Sequence, residues 1–311
     1  MKKVFLGVGH GGNDPGAVGY IKEADINLNM ALACRDFLVA NGVEVKMSRT
    51  RDENDDLNEE IRECNEYNPD LAVDIHNNAG GADGFEVYHS IFKGTGTTLA
   101  QNIEKEVLAI GQNSRGCKSK KSTKGNYDYY GFIRSTKAPA VICEGVFVDN
   151  KEDSAQADTL EEQKAFGVAY AKGILKTLGI EIVVPTLQCN AHIQDIGWTG
   201  YKDTSKGIIG TEGQGKRLEA IQFKANNGLD LSYRAHVQDK GWTNWKNNGE
   251  VAGTTGQSKR IEAIEIKSNK MLEVQEHIEN VGWMPSSKGT NIRIGTEGKS
   301  LRLEAFKIKV I

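Results

Sequence analysis

No stretch of this 311-residue chain approaches the ~20 consecutive apolar residues that a bilayer-spanning helix needs, so the expectation is no membrane span. No C-x-x-C pair occurs among the five cysteines, Cys34, Cys64, Cys117, Cys143 and Cys189. An odd, scattered set excludes a disulfide framework and a thiolate metal cluster, and reads as free thiols in a reducing compartment. Charge of either sign is not in excess: 39 basic against 42 acidic residues leave a net −3, which gives no electrostatic footprint for a nucleic-acid partner. The one basic run, Arg115 to Lys124, is short and reads as a solvated loop. The apolar run Val4–Gly9 is too short for the h-region of a signal peptide. The expectation is therefore synthesis in the cytoplasm without a signal peptide, with any exit by another route. Tryptophan is scarce, and all four (Trp198, Trp242, Trp245, Trp283) fall in the last third. That shift in composition marks two domains.

The first domain is expected over residues 1–179. Strand-like segments at Lys3–Val8, Val43–Arg49, Leu71–His76, Gly84–Tyr88 and Ala140–Glu144 alternate with helical spacing at Ile26–Ala40, Leu57–Tyr67, Thr98–Ile110 and Gln163–Leu178. This alternation predicts an α/β layer fold, with Gly42 and Gly179 as helix stops. Residues 180–186, with Pro185, read as a linker.

Beyond the linker the chain repeats itself over 187–227, 228–269 and 270–311. His192…Gly197-Trp198 aligns with His236…Gly241-Trp242 and His277…Gly282-Trp283. Gly-Thr-x-Gly recurs at 210, 253 and 295, and Arg-Leu/Ile-Glu-Ala recurs at 217, 260 and 302. Such a period sets the architecture. β-Branched runs between Gly turns predict an all-β unit with pseudo-threefold symmetry, a β-prism or a β-trefoil. The Gly-Trp tryptophans are expected as core and corner elements, and the repeat histidines as hydrogen-bonding loop residues rather than metal ligands. Arg217 and Glu219 are expected to pair at the edge of each core. The position three after each of these tryptophans is Tyr201, Trp245 and then Ser286. A core site rarely accepts Ser for an aromatic, so Tyr201 and Trp245 become candidates for contact with a glycan.

Four residues of the first domain carry chemistry: His10, Glu23, His76 and Glu144. Each is placed at or just beyond a strand end, where open α/β sheets build their sites. Two imidazoles and a carboxylate suit a catalytic zinc because one position stays free for water, and a second glutamate can move protons. Asn78 could support a ligand from outside, and Asp74 shares a strand face with His76. Cys143, by alternation, turns away from Glu144. Spacing alone leaves open that these are structural hydrogen-bonding residues.

The local strings are more specific. Val8-Gly-His10-Gly-Gly12, Lys22-Glu23-Ala-Asp25, Ser48-Arg-Thr-Arg-Asp52, Asp74-Ile-His76-Asn-Asn78-Ala79 and Glu144-Gly-Val-Phe-Val-Asp-Asn150 occur in order. Over residues 1–178 they resemble the zinc-dependent N-acetylmuramoyl-L-alanine amidases of the amidase-3 type. The resemblance implies a mixed sheet of about six strands flanked by helices, Zn2+ on His10, Glu23 and His76, and Glu144 as catalytic carboxylate. It also implies hydrolysis of the amide between N-acetylmuramic acid and the L-alanine of the stem peptide. The family often has Ser where this chain has Asp74. The repeats resemble the clostridial hydrophobic repeats with a Gly-Trp signature (ChW), which implies contact with bacterial peptidoglycan or another cell-wall polymer. The combined expectation is a phage-type lysin acting on the wall after holin-type release or lysis, or an autolysin. A zinc peptidase cutting within the stem peptide, or a wall-binding protein without catalysis, are the alternatives.

Overall fold

The computed structural model describes residues 1–311 and divides into two compact units, Met1–Ile182 and Val183–Ile311. In the first, strands β1 (Lys3–Val8), β2 (Glu44–Met47), β3 (Leu71–Asn78), β4 (Phe85–His89), β5 (Ser114–Lys118) and β6 (Ala140–Phe147) form one sheet in the order β2-β1-β3-β6-β4-β5. The pairs β1–β2, β1–β3, β3–β6 and β4–β5 are parallel, and β4 runs antiparallel to β6. The sheet is therefore mixed, as expected.

Alternation assigns each face of the sheet. Val4, Leu6, Val8, Val73, Ile75, Val141 and Cys143 point one way, into a core with helices α1 (Glu23–Ala40), α3 (Thr95–Ala109) and α6 (Leu160–Leu178). Phe5, Ala72, Ala140 and Ile142 point the other way, onto α2 (Leu57–Tyr67) and α4 (Gly131–Ser135); α5 (Lys151–Ser154) follows β6. Two strand faces buried in this way explain the near-continuous apolar runs of the central strands. Helix ends are fixed chemically: Asp56 caps α2, accepting from Asn58 N at 2.9 Å. Thr159 and Glu162 form a capping box on α6, which stops at Gly179 in the left-handed region.

The basic run is not simply a loop. Its first residues lie in β5, and Arg115 and Lys118 both close on the buried Glu86 of β4. A carboxylate 4% exposed needs such partners, and two of the run's five cations are taken up there.

In the second unit each repeat supplies two long antiparallel partners. Thr186–Ile193 pairs with Leu218–Asn226, Leu231–Val237 pairs with the first half of Ile261–Ile278, and the second half of that strand pairs with Leu303–Val310. Strand Thr186–Ile193 thus begins inside the segment read as linker. The Gly-Thr element of each repeat pairs with the long strand of another: Gly210 with Ala305, Gly253 with Ala220, and Gly295 with Ala263. First to third, second to first, third to second, the exchange links the three repeats in a closed ring within one all-β unit, whose strands form a seven-stranded and a five-stranded sheet. Only glycine fits these crossings, since a Cβ on Gly210 would lie 2.2 Å from Glu304 O. Leu218, Phe223, Tyr233, Ile264 and Phe306 fill the common core.

The Gly-Trp tryptophans are outside that core, contrary to expectation. Trp198, Trp242 and Trp283 pair across strands with His192, His236 and His277, residues that alternate with the buried Ala and Val/Ile positions and so face outward. Each ring meets its histidine edge-on at 5.3 Å. The histidines lie in strands, not loops, with Nδ1 at 3.0–3.2 Å from Glu219, Glu262 and Glu304. Each of those buried glutamates also takes the arginine two residues before it, Arg217 Nε at 2.9 Å in the first repeat. The Arg–Glu pair is as expected; its histidine partner is the added member.

Candidate metal centre

At the end of β1 the backbone turns through Gly9-His10-Gly11-Gly12. His10 itself takes φ 64°, a left-handed conformation costly for a side chain with Cβ. Paired backbone hydrogen bonds between Gly11 and Asp14 (2.7 and 3.0 Å) hold that turn. His10 Nδ1 lies 2.8 Å from Asp14 Oδ2, which leaves Nε2 to face inward. Arg49, 2% exposed, sits beneath the turn, donating to Val8 O (3.0 Å), Gly9 O (3.2 Å) and Ala24 O (2.8 Å). It ties the β1 exit to the start of α1.

Glu23 is the first residue of α1, where a carboxylate gains from the helix dipole. Its Oε2 accepts from Ala17 N at 2.8 Å and its Oε1 from Asn77 N at 3.1 Å. The same Oε1 lies 3.3 Å from His10 Nε2 and 3.1 Å from His76 Nδ1. Donor atoms of His10, Glu23 and His76 all fall within 4.8 Å of one another. Three donors from β1, α1 and β3 thus converge on one point, and both distal imidazole nitrogens have carboxylates: Asp14 on His10, and Asp74 Oδ2 at 3.3 Å from His76 Nε2. That donor set, with outer carboxylates orienting each ring, fits a divalent zinc-like cation. Gly9 leaves room for the His76 ring, because a Cβ there would be 2.1 Å from His76 Cε1.

The electrostatics agree. Burial alone would raise the Glu23 carboxyl, but hydrogen bonds from His10 and His76 hold it well below the usual carboxylate range. The hydrogen bond to Glu23 raises His10 against its burial. Burial disfavours charge on His76, yet the charge of Asp74 and hydrogen bonds to Asp74 and Glu23 push it well above its ordinary value. The carboxylates around the two imidazoles thus favour positive charge at this point, and Glu23 stays ionised beside them.

Glu144 of β6 stands directly beside His76 of β3 in the parallel register. It accepts no hydrogen bond, and burial pushes its carboxyl up to about 7 despite the nearby His76 charge. It lies on the α2/α4 side of the sheet, while Cys143 is fully buried on the opposite side, as alternation required. A cavity of about 420 Å³ opens there, walled by His10, His76, Asp74, Glu60, Tyr130 and Phe132.

Asp74 shares the His76 face as expected, but Asn78 does not reach the ligands: its side chain bonds Glu86 (3.4 Å) and Ala79 N (2.8 Å). The neighbouring Asn77 does that work, through its N–H on Glu23 and an amide bridging Asn27 Oδ1 (2.7 Å) and Val146 N (2.9 Å). Three further residues escaped sequence reasoning. Asp14 carried a signal, four positions after His10 in a Gly-rich turn, and Arg49 stood within a quoted motif. Glu60, 5% exposed on α2, carried none: it rests over Gly7, where a Cβ would be 1.8 Å from its Oε1, and against Asp74. Burial, with Asp74 and Asp55 beside it, keeps its carboxyl well above the ordinary value.

In the second unit Tyr201 is 41% exposed, with Lys224 at 5.9 Å from its ring. Trp245 is half-buried between Arg234 (4.9 Å) and Lys267 (4.3 Å).

Comparison with known proteins assigns both units. The N-acetylmuramoyl-L-alanine amidase family model (amidase-3) matches residues 4–176. The clostridial hydrophobic W model matches residues 192–227, 236–270 and 277–311. A sporulation-specific N-acetylmuramoyl-L-alanine amidase of Bacillus subtilis is 32% identical over 186 residues, 58% of this chain and 70% of that protein. An endolysin of Bacillus phage SPP1 is 32% identical over 192 residues, 58% of this chain and 67% of its own length. The catalytic domain of the amidase CwlV from Bacillus (Paenibacillus) polymyxa var. colistinus superposes with a TM-score of 0.53 at 28% identity, covering 58% of this chain and all of that domain.

Proposed function

This chain belongs to the amidase-3 family of N-acetylmuramoyl-L-alanine amidases, and from that premise we propose how its centre hydrolyses the amide between N-acetylmuramic acid and L-alanine. The single observation that carries the reading is the convergence of His10, Glu23 and His76 beside an unbonded Glu144. Zn2+ held by those three residues would polarise the scissile carbonyl and acidify water. Glu144, kept basic enough by burial, takes a proton from the attacking water and returns it to the leaving amine. Asp14 and Asp74 fix the imidazole orientations. The cavity beside the ligands receives the substrate.

The repeat unit binds the wall in this reading, with Tyr201 and Trp245 offering aromatic faces to glycan. The likeness to a phage endolysin supports a role in lysis, with the enzyme reaching peptidoglycan when the membrane fails; no helix is long and apolar enough to cross a membrane. Mass spectrometry of digested peptidoglycan, with and without a zinc chelator, tests the reaction. Stem peptides with an L-alanine N-terminus should appear, vanish on chelation and return with Zn2+. New termini inside the stem would make the chain a peptidase instead.

A further inference from the structure

The three repeats are not equivalent, and the third differs at two linked positions. Where the first two carry Tyr201 and Trp245, the third carries Ser286. In the second repeat Lys267 lies over the Trp245 ring; its counterpart Lys309 has no ring to cover and pairs with Glu273 at 2.9 Å. The space that an aromatic would fill is a cavity of about 410 Å³, within the ~300–1,000 Å³ range of ligand sites. Ser286, Gln275, Lys307, Lys309 and Glu273 line it, with Thr204 and Ser205 of the first repeat opposite; the Glu273 carboxylate is matched by Lys309, which leaves Lys307 as the cation in excess.

The second difference is charge. One cross-strand pair recurs in all three repeats: Asn190 with Gln222, Arg234 with Glu265, and Gln275 with Lys307. In the first repeat the pair is two neutral amides joined at 3.0 Å, and in the second an ion pair at 2.7 Å. In the third, Lys307 faces an amide that already donates to Met284 O, and no carboxylate lies within ion-pair distance of it. Its Nζ instead stands 4.4 Å from the Trp283 ring centroid. An uncompensated ammonium at the wall of a polar cavity, beside a tryptophan, is arranged to receive an anion attached to a hydroxylated body.

We propose that this cavity binds an anionic sugar unit, with Lys307 taking its carboxylate or phosphate and Ser286, Gln275 and Lys309 meeting its hydroxyls. This deepens the reading of the repeat unit as wall-binding and rests on it. It places the specific pocket in the repeat that lost its aromatic residue, and leaves Tyr201 and Trp245 as flat auxiliary contacts.

The test uses the full chain, titrated calorimetrically with N-acetylmuramic acid, N-acetylglucosamine 1-phosphate and neutral N-acetylglucosamine, and in parallel co-sedimented with purified walls. At least one anionic probe should saturate while the neutral sugar does not. The carboxylate winning identifies glycan whose stem peptides have been removed, where the muramic acid carboxyl is free, as the source, and the phosphate winning identifies a phosphate-bearing wall polymer. Ser286→Trp restores the residue type of the second repeat and Lys307→Gln that of the first, so both variants are compatible with the fold; each should weaken binding at least tenfold with an unchanged melting temperature. Absence of binding by both anionic probes, or binding indifferent to both substitutions, overturns the pocket even when walls still co-sediment. Failure of the wild-type chain to co-sediment would instead remove the wall-binding reading, and the titrations would still decide the pocket.

Discussion

A carboxylate that ends up against a sheet face without a hydrogen bond is costly unless it has a task, and Glu144 is such a residue. Exchanging it for Gln keeps shape and removes basicity. Glu144→Gln should retain zinc and wall binding while turnover falls by about 10²–10⁴-fold, the usual contribution of a general acid–base group; a variant that still cleaves at the wild-type rate would exclude the mechanism. The ligands themselves make a pH prediction. His10 and His76 are raised above 6.5, so in the metal-free chain their contribution to stability is complete below 6.5 and is lost as pH rises through their folded values. Glu23 is depressed below 4.5, so its contribution is complete above 4.5 and is lost as pH falls through its folded value. Both therefore act together between 4.5 and 6.5 in the stripped chain. As pH rises through the folded values of the two histidines their protons leave and Zn2+ can replace them. Thermal melts of stripped protein should show Zn2+ raising Tm by about 5–10 °C near pH 7.5, as expected for a ligand near 100 Kd. The gain should be much smaller near pH 5.5, where the cation must displace protons. Equal gains at both pH values would remove this donor set.

Elements position these residues, and Arg49 is the clearest link between elements. Its guanidinium serves carbonyls at the end of β1 and in the first turn of α1, a fork that an ammonium cannot reproduce. Each buried carbonyl left unpaired costs about 1–3 kcal/mol. Arg49→Lys should therefore lower unfolding stability by about 3 kcal/mol in urea titrations and release zinc at lower chelator concentration; retention of both would mean that the turn holds itself. Elements were also where the sequence was most legible. A continuous apolar run marked β1 and a 3.6 period marked α2 to the residue, because β1 is buried on both faces and α2 on one. β5 was hidden, since Ser-Arg-Gly-Cys-Lys carries no apolar period and is held by pairing to β4 and by Glu86. The convergence of His10, Glu23 and His76 was legible because these residues sit in short Gly-rich or polar strings at strand ends. Glu60 and Asn77 were not, because their roles exist only once α2 and α1 pack against β3. The Gly-Trp tryptophans misled for a related reason: large aromatic surface suggests a core, but strand parity with an outward histidine decides the side.

At the scale of the whole molecule, the chain joins two units that each have their own hydrophobic core. A core of that kind is what lets a part fold alone, so Met1–Ile182 and Val183–Ile311 should each give a cooperative melt when made separately. Joining a weak wall binder to a hydrolase converts an encounter in three dimensions into one at high effective concentration, with gains of about 10²–10⁴ possible without any new contact. The benefit depends on substrate, since a small soluble fragment of peptidoglycan cannot engage both units together. Cleavage of such a fragment should therefore proceed at the same rate with Met1–Ile182 as with the full chain. On intact walls the isolated first unit should be slower by about tenfold or more, and Val183–Ile311 added in excess should slow the full chain by occupying its sites. Equal rates of the truncated and full chains on intact walls would detach the repeats from targeting, while loss of activity on the soluble fragment would show that the repeats support the catalytic unit itself.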